Sequence, residues 1–269
     1  MSAQQEIEAG ERFGFGDNWA RFLREVDEEN ITAAVASLKS ALGRDLAGLR
    51  FLDAGCGSGL FSLAAHRLGA HVVSFDFDES SVRCAEQLRS RFAEADRTWE
   101  VLQGSVLDED FVVGLRGFDV VYSWGVLHHT GDMWRAFDLV DKAVRPGGQL
   151  FLAIYNDQGL PSLGWAEVKR RYNAAGPGGR QVMLAAANSY FGLRRVAKRL
   201  FEPAGAATAR PRGMVVGTDL VDWVGGYPFE VAKPEQVFAF YRDRGYDLQH
   251  LKTCRGGHGC NEYVLGKEA

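Results

Sequence analysis

Cysteine is scarce in this chain. Four thiols in 269 residues, Cys56, Cys84, Cys254 and Cys260, are too few and too scattered to frame a disulfide scaffold. They read as free thiols of a reducing compartment. Long apolar runs are missing too: no stretch approaches the roughly 20 residues of a membrane span. Met1 to Arg12 is polar and acidic, without the basic and then apolar order of a secretory signal. Together these absences lead us to expect a cytoplasmic protein with no transmembrane segment. A basic surplus is lacking as well. The formal net charge is −4, which argues against a nucleic-acid partner. We find no internal repeat and no low-complexity tract.

What is present starts with an ordinary globular composition, 46% apolar, in a length that suits one large domain or one domain with an insertion. The charge is unevenly spread. Between Gln158 and Gly213 stand ten basic residues (Lys169, Arg170, Arg171, Arg180, Arg194, Arg195, Lys198, Arg199, Arg210 and Arg212) against two acids, Glu167 and Glu202. That segment is strongly positive and the rest of the chain correspondingly negative.

The most informative stretch runs from Phe51 to Leu60: Phe-Leu-Asp-Ala-Gly-Cys-Gly-Ser-Gly-Leu. An apolar strand, Leu49 to Leu52, ends in an acid. Three glycines follow at alternate positions, and a helix then runs from Leu60 to Leu68. The glycines permit positive φ and let a ligand lie against bare backbone. The helix start offers free N–H groups to something polar. The next strand, His71 to Phe75, ends at a second acid, Asp76, 17 residues beyond Gly59. This is about where a nucleotide-binding unit places a carboxylate on ribose hydroxyls. The spacing G-x-G-x-G differs from the dinucleotide form G-x-G-x-x-G. Asp53 beside the turn would repel a pyrophosphate and suits a ligand with an ammonium end.

Strands and helices then alternate. A helix is expected over Ser80 to Ala93 with Ser80 or Ser81 as its N-cap. Strands are expected at Trp99 to Leu102, Phe118 to Ser123 and Gln149 to Tyr155. A helix from Met133 to Val144 ends at the turn Arg145-Pro146-Gly147-Gly148. Two helices, Trp165 to Asn173 and Gln181 to Phe201, interrupt the pattern. A helix opened by Pro234 and strands at Leu248 to Thr253 and Asn261 to Leu265 close it. Before the core, Ile31, Val35, Leu38 and Leu42 recur at helical spacing. Such alternation implies an α/β fold with a mainly parallel sheet and helices on both faces.

Jointly these motifs resemble the class I S-adenosylmethionine-dependent methyltransferases, with small-molecule O-methyltransferases of the ubiquinone-biosynthesis type the nearest in look. Leu52 to Gly59 resembles the first motif, Phe75-Asp76 the second, and Phe118 to Ser123 with Leu127-His128-His129 the fourth strand and its loop. Arg145 to Gly148 matches the turn before strand five. The resemblance implies a Rossmann-like seven-stranded sheet with a helical cap inserted after strand five. It divides the chain into an N-terminal lid with helices (1–48), a cofactor core (49–155), a substrate cap (156–233) and a last helix with a strand hairpin (234–269). It also implies S-adenosyl-L-methionine as cofactor. Gly55, Cys56, Gly57 and Gly59 would shape the turn around the methionine part, and Asp53 would hold its amino group. Asp76 would accept from the ribose hydroxyls, Phe77 would pack on adenine, and Ser123 and Trp124 would wall the site. Where the family usually carries an acid for the adenine amino group, this chain has Ser105, so Ser105 or the backbone at Val106 takes that role.

His128 and His129 are the catalytic candidates. Methyl transfer is an in-line displacement, an alcohol acceptor must lose its proton, and a histidine titrates near neutrality. One of the two is expected to order the loop instead. Trp19 in the aromatic-glycine patch Phe13 to Trp19, Tyr155, Asn156, Asp157 and His258 are candidates for the acceptor. The plainer reading is packing for the aromatics and turn capping for Asn156 and Asp157. Cys254, His258 and Cys260 lack a fourth ligand and the C-x₂-C spacing, so no metal is expected. The basic insert reads as a lid for an anionic acceptor, as a basic amphipathic surface (Val182, Leu193, Val196, Leu200 and Phe201) for peripheral membrane contact, or as solvated helix faces. The expected activity is methylation of a small-molecule hydroxyl, with a saccharide as first guess. N- or C-methylation, or cofactor binding without catalysis, are the alternatives, and oligomeric state is left open.

Overall fold

A computed structural model describes residues 3–94, 98–201 and 219–269. Three helices lead in: α1 (Ala3–Glu8), α2 (Gly16–Glu25) and α3 (Glu28–Leu42). The alternating core follows as β1 (Arg50–Ala54), α4 (Leu60–Arg67), β2 (His71–Asp76), α5 (Glu79–Phe92), β3 (Trp99–Gln103), α6 (Glu109–Gly114) and β4 (Phe118–Trp124). A short 3₁₀ turn, Leu127–His129, leads to α7 (Met133–Ala143) and β5 (Val144–Tyr155). Then come α8 (Leu160–Ala174), α9 (Pro177–Phe201), α10 (Asp219–Gly225), α11 (Pro234–Arg242), β6 (Tyr246–Lys252) and β7 (Cys260–Lys267).

The strands form one sheet in the order β3-β2-β1-β4-β5-β7-β6, parallel except at β7, which runs antiparallel to both β5 and β6. This is the mainly parallel sheet expected from the alternation, in the Rossmann-like seven-stranded form that the resemblance implies. Burial on both faces explains why the central strands read as near-continuous apolar runs. Phe51, Val120, Tyr122 and Phe151 face a layer built from α2 to α5. Their neighbours Leu52, Val121, Leu150 and Leu152 face α6, α7 and α11. The strand order reverses between β1 and β4, which opens a crevice at the carboxyl ends of both, where ligands bind in such sheets.

Several local expectations are corrected. The N-cap of α5 is Asp78, which accepts from the Ser80 amide, and neither Ser80 nor Ser81 caps it. An Asp carboxylate two residues ahead is the better acceptor, and Ser81 is buried instead. Arg145 to Gly148 lies within β5 near its start, where it makes the register shift in the pairing with β4 between Val144 and Gln149. Helix α8 begins at Leu160, with Pro161 in its first turn. Helix α9 begins at Pro177, inside the stretch expected to be a linker. Helices α1, α2, α6 and α10 are not among the expected elements; α1, α6 and α10 are too short to show a clear period, and α2 begins inside the aromatic-glycine patch.

Helices α8, α9 and α10 make the cap, around a small core of Tyr172, Ala187 and Val224 with Phe13 against it. Leu160, Leu163, Val182 and Leu193 are exposed on it. Arg210, Arg212 and the side chains of Arg194 to Phe201 lie outside the described residues. No helix among the described residues is long and apolar enough to cross a membrane.

Candidate active site

A cavity of about 530 Å³ occupies the crevice. At one end is the glycine turn. Gly55, Gly57 and Gly59 have φ of 85°, 53° and 80°, values that a side chain would strain. A Cβ on Gly55 would stand 2.3 Å from Val126, and one on Gly57 2.9 Å from the Trp19 indole. The turn is held from below by β2: Asp76 accepts from the amides of Gly57 (2.9 Å) and Asp78 (2.9 Å).

Two carboxylates share this end. Asp53 is 2% exposed and accepts from the Ser62 hydroxyl at 2.6 Å. Burial, only partly offset by that bond and aided by the Asp76 charge, pushes its pKa up to about 7. Burial likewise raises Asp76 to about 6 against the hydrogen bonds of its turn. Two such acids in one apolar crevice suit a ligand that brings a positive charge and hydroxyl donors. Phe75, Phe77, Val106 and Leu107 give the next wall an apolar surface. Ser105 lines it as well, and its hydroxyl accepts from the Leu107 amide at 3.1 Å. Asp108, the nearest acid, caps α6 instead. Bare backbone at Gly57, two carboxylates and an apolar wall fit a cofactor with an ammonium, a ribose and an adenine.

Most residues marked in the sequence line this cavity: Trp19, Asp53, Gly55, Cys56, Gly57, Asp76, Phe77, Ser105, Val106, Trp124, His129 and Tyr155. Others do not. Gly59 starts α4 behind the turn. Ser123 is buried and donates to the Ala54 carbonyl at 2.8 Å, tying β4 to β1. The Asn156 side chain accepts from Asn261 and donates to the Gly257 carbonyl. Asp157 accepts from the Gly159 amide at 2.7 Å, a turn cap. His258 packs among Trp165, Phe191 and Trp223.

The two histidines are made different by their partners. In His128 the Nδ1 faces the Tyr155 amide at 3.4 Å and therefore accepts, which puts the proton on Nε2, buried without a partner. In His129 the Nδ1 lies 2.6 Å from the Pro228 carbonyl and must donate, which leaves Nε2 bare. His129 lines the cavity and His128 does not. Burial, Lys169 and Arg12 together lower His129 to about 3, so its ring is neutral at physiological pH.

Sequence reasoning missed several cavity residues. Arg12, from the polar start, donates to the His129 carbonyl at 2.7 Å, pairs with Glu6 at 2.6 Å and lies 5.1 Å from the Phe77 ring centre. Glu262 on β7 accepts from Trp124 Nε1 at 3.2 Å and faces Lys252 at 3.4 Å. Asp222 and Trp223 come from α10. Nothing local marks these residues, because antiparallel pairing and the cap bring them to the crevice. Of the insert's described basic residues, the arginines lie elsewhere: Arg170 and Arg171 bond Glu167, and Arg180 bonds the last carbonyls of α8, whereas Lys169 is buried behind the Tyr155 and Trp223 wall.

Comparison with known proteins agrees with this geometry. Residues 52–150 match a family described as a methyltransferase domain. A ubiquinone biosynthesis O-methyltransferase of Rhizobium etli is 37% identical over 113 residues, 42% of this chain and 44% of that protein. The match thus spans less than half of that relative. Among solved structures, a magnesium protoporphyrin IX methyltransferase of Synechocystis with bound S-adenosylhomocysteine covers 89% of this chain and 83% of its own, at TM-score 0.51 and 17% identity. An S-adenosylmethionine-dependent methyltransferase described as putative, from Listeria monocytogenes, covers 88% and 99%, at TM-score 0.55 and 12% identity. At such identities these two structures speak for the fold alone. Residues 52–150 thus form a methyltransferase domain of the class I, S-adenosylmethionine-dependent kind, built on this sheet, and the cofactor of that domain is S-adenosyl-L-methionine.

Proposed function

We propose that this chain transfers the methyl group of S-adenosylmethionine to a hydroxyl of a small-molecule acceptor, with His129 receiving the hydroxyl proton. The cofactor supplies an electrophilic methyl on sulfur. The chain's own residues hold it and aim the acceptor. Asp53 receives the ammonium, Asp76 the ribose hydroxyls, and Phe77 with Val106 the adenine.

The observation that carries the reading is the short bond from His129 Nδ1 to the Pro228 carbonyl. It fixes the tautomer whose bare nitrogen can accept a proton on a residue that lines the cavity. The acceptor end is walled by Trp124, Tyr155 and Trp223 with the carboxylates of Asp222 and Glu262. Aromatic faces beside carboxylates suit a hydroxyl-rich ring, which supports a saccharide or related natural-product precursor. An anionic acceptor would meet Lys252 there.

The lowered basicity of His129 supports a second reading. A ring held at about 3 is a reluctant base, which suits a nitrogen or carbon acceptor that is already nucleophilic. One experiment separates the two: transfer of labelled methyl to a panel of sugars, catechols and amines by wild type and His129→Gln. General-base work predicts a kcat loss of roughly 10²–10⁴-fold on the hydroxyl acceptor, with cofactor affinity retained. Near-full turnover by the variant would sink the hydroxyl reading. Cofactor binding without transfer to any acceptor would sink the enzyme reading.

A further inference from the structure

Lys169 on α8 is fully buried, and nothing in the reaction proposed above calls for a buried lysine. Its ammonium donates to the Trp223 carbonyl in α10. It sits 4.9, 4.8 and 5.6 Å from the ring centres of Trp223, Phe229 and Tyr155. One turn later, Asn173 donates to the Gly225 carbonyl at 2.7 Å. Two side chains of α8 thus tie down the carbonyl end of α10, where a cation also meets the negative end of the helix dipole.

The segment they hold reaches the catalytic candidates. After Gly225 the chain passes Pro228, whose carbonyl accepts the hydrogen bond from His129 Nδ1. It then passes Phe229, part of the box around Lys169, and Glu230, whose amide donates to the His128 carbonyl at 2.9 Å. The Glu230 carboxylate accepts from the amides of Gly131 and Met133. Residues 219–230 are therefore a strap. It is tied to α8 at Trp223 and Gly225 and to the histidine loop at Pro228 and Glu230, and Asp222 and Trp223 at its α8 end line the acceptor wall.

We propose that Lys169 is a positioning residue: it clamps this strap so that the Pro228 carbonyl keeps His129 in the tautomer with Nε2 bare. The proposal rests on the reading of His129 as the proton acceptor. A buried ammonium is expensive where a methionine would fill the same box, so retaining a lysine there needs a reason beyond packing. The groups facing it are Asp222 from α10, Cys260 from β7 and the two histidines. Its charge also opposes protonation of His129, which supports the assignment.

The test is the imidazole nitrogen spectrum of the full chain labelled with ¹⁵N-histidine, the His129 signals being identified by their loss in His129→Gln. Wild type is expected to show Nδ1 protonated and Nε2 bare. Lys169→Met removes both donor and charge, and a mixture of tautomers is expected. Lys169→Gln keeps a donor for the Trp223 carbonyl and loses the charge. It is expected to keep the wild-type tautomer while binding a proton about tenfold more tightly. In both variants affinity for S-adenosylhomocysteine stays within about twofold, because the cofactor end shares no partner with the clamp. A wild-type tautomer in the Met variant, or an unchanged His129 titration in the Gln variant, overturns the proposal. If the Met variant does not fold, the Gln titration decides alone. These spectra need no acceptor, so a failure of the hydroxyl reading would appear only in turnover and remains distinguishable.

Discussion

Replacing Asp53 by Asn should act in opposite directions on stability and on cofactor binding. Asp53 is buried and its carboxyl is raised from 3.8 to about 7. Its folded pKa lies above its unfolded value, so between those values the folded state holds a proton that the unfolded state releases. Ligand-free stability therefore falls as pH rises from about 4 to 7 and stays at the lower level above that. A shift of about three units corresponds to roughly 4 kcal/mol as an upper bound, at 1.36 kcal/mol per unit. Relaxation of the site and water entry reduce this to about 2 kcal/mol. Asn is neutral and can still accept from the Ser62 hydroxyl, so Asp53→Asn should recover most of it. For a chain of this size that means a Tm about 4–8 °C higher at pH 8 without ligand, with the gap closing towards pH 4. Calorimetry with S-adenosylhomocysteine should show the reverse, an affinity about 10–100-fold weaker, because a charged hydrogen bond to the ammonium is lost. An Asn variant that melts below wild type at pH 8, or that binds the cofactor product equally well, would refute the claim that this carboxylate is kept for a cationic ligand.

Wild-type affinity for S-adenosylhomocysteine should fall as pH drops through about 7 and then 6, since protonating Asp53 and Asp76 removes the acceptors. The expected loss from pH 8 to 5 is on the order of 100-fold by calorimetry, and Asp53→Asn should show only the lower step. Gly55→Ala places a methyl 2.3 Å from Val126 at φ 85° and should cost about 2 kcal/mol or more in urea unfolding, with cofactor binding lost. A Gly55→Ala protein with wild-type stability would show that the turn can relax.

Much of the frame is legible in the order of residues. Strands β1, β2 and β4 lie within a few residues of their apolar runs, because a strand buried on both faces must be largely apolar. Of the helices that the pattern does not reveal, α1, α6 and α10 are short, and α2 and α6 pack on the layers beside the sheet. The cap is legible as a break in the alternation. The starts of its helices are not, because a proline that opens a helix looks the same in sequence as one that punctuates a linker.

For the site, the sequence alone determines the glycine turn, Asp53, Asp76 and the placing of two histidines at the carboxyl edge. These are local matters, since a strand end, a positive φ and a helix start are written in consecutive residues. Which histidine has a bare nitrogen is decided by tertiary structure, because a carbonyl about 100 residues away chooses the tautomer. The same holds for Lys169, which composition counts as one more surface cation. Only the packing of α8 against α10 shows it buried, and burial turns an ordinary lysine into a group whose position and charge bear on its neighbours.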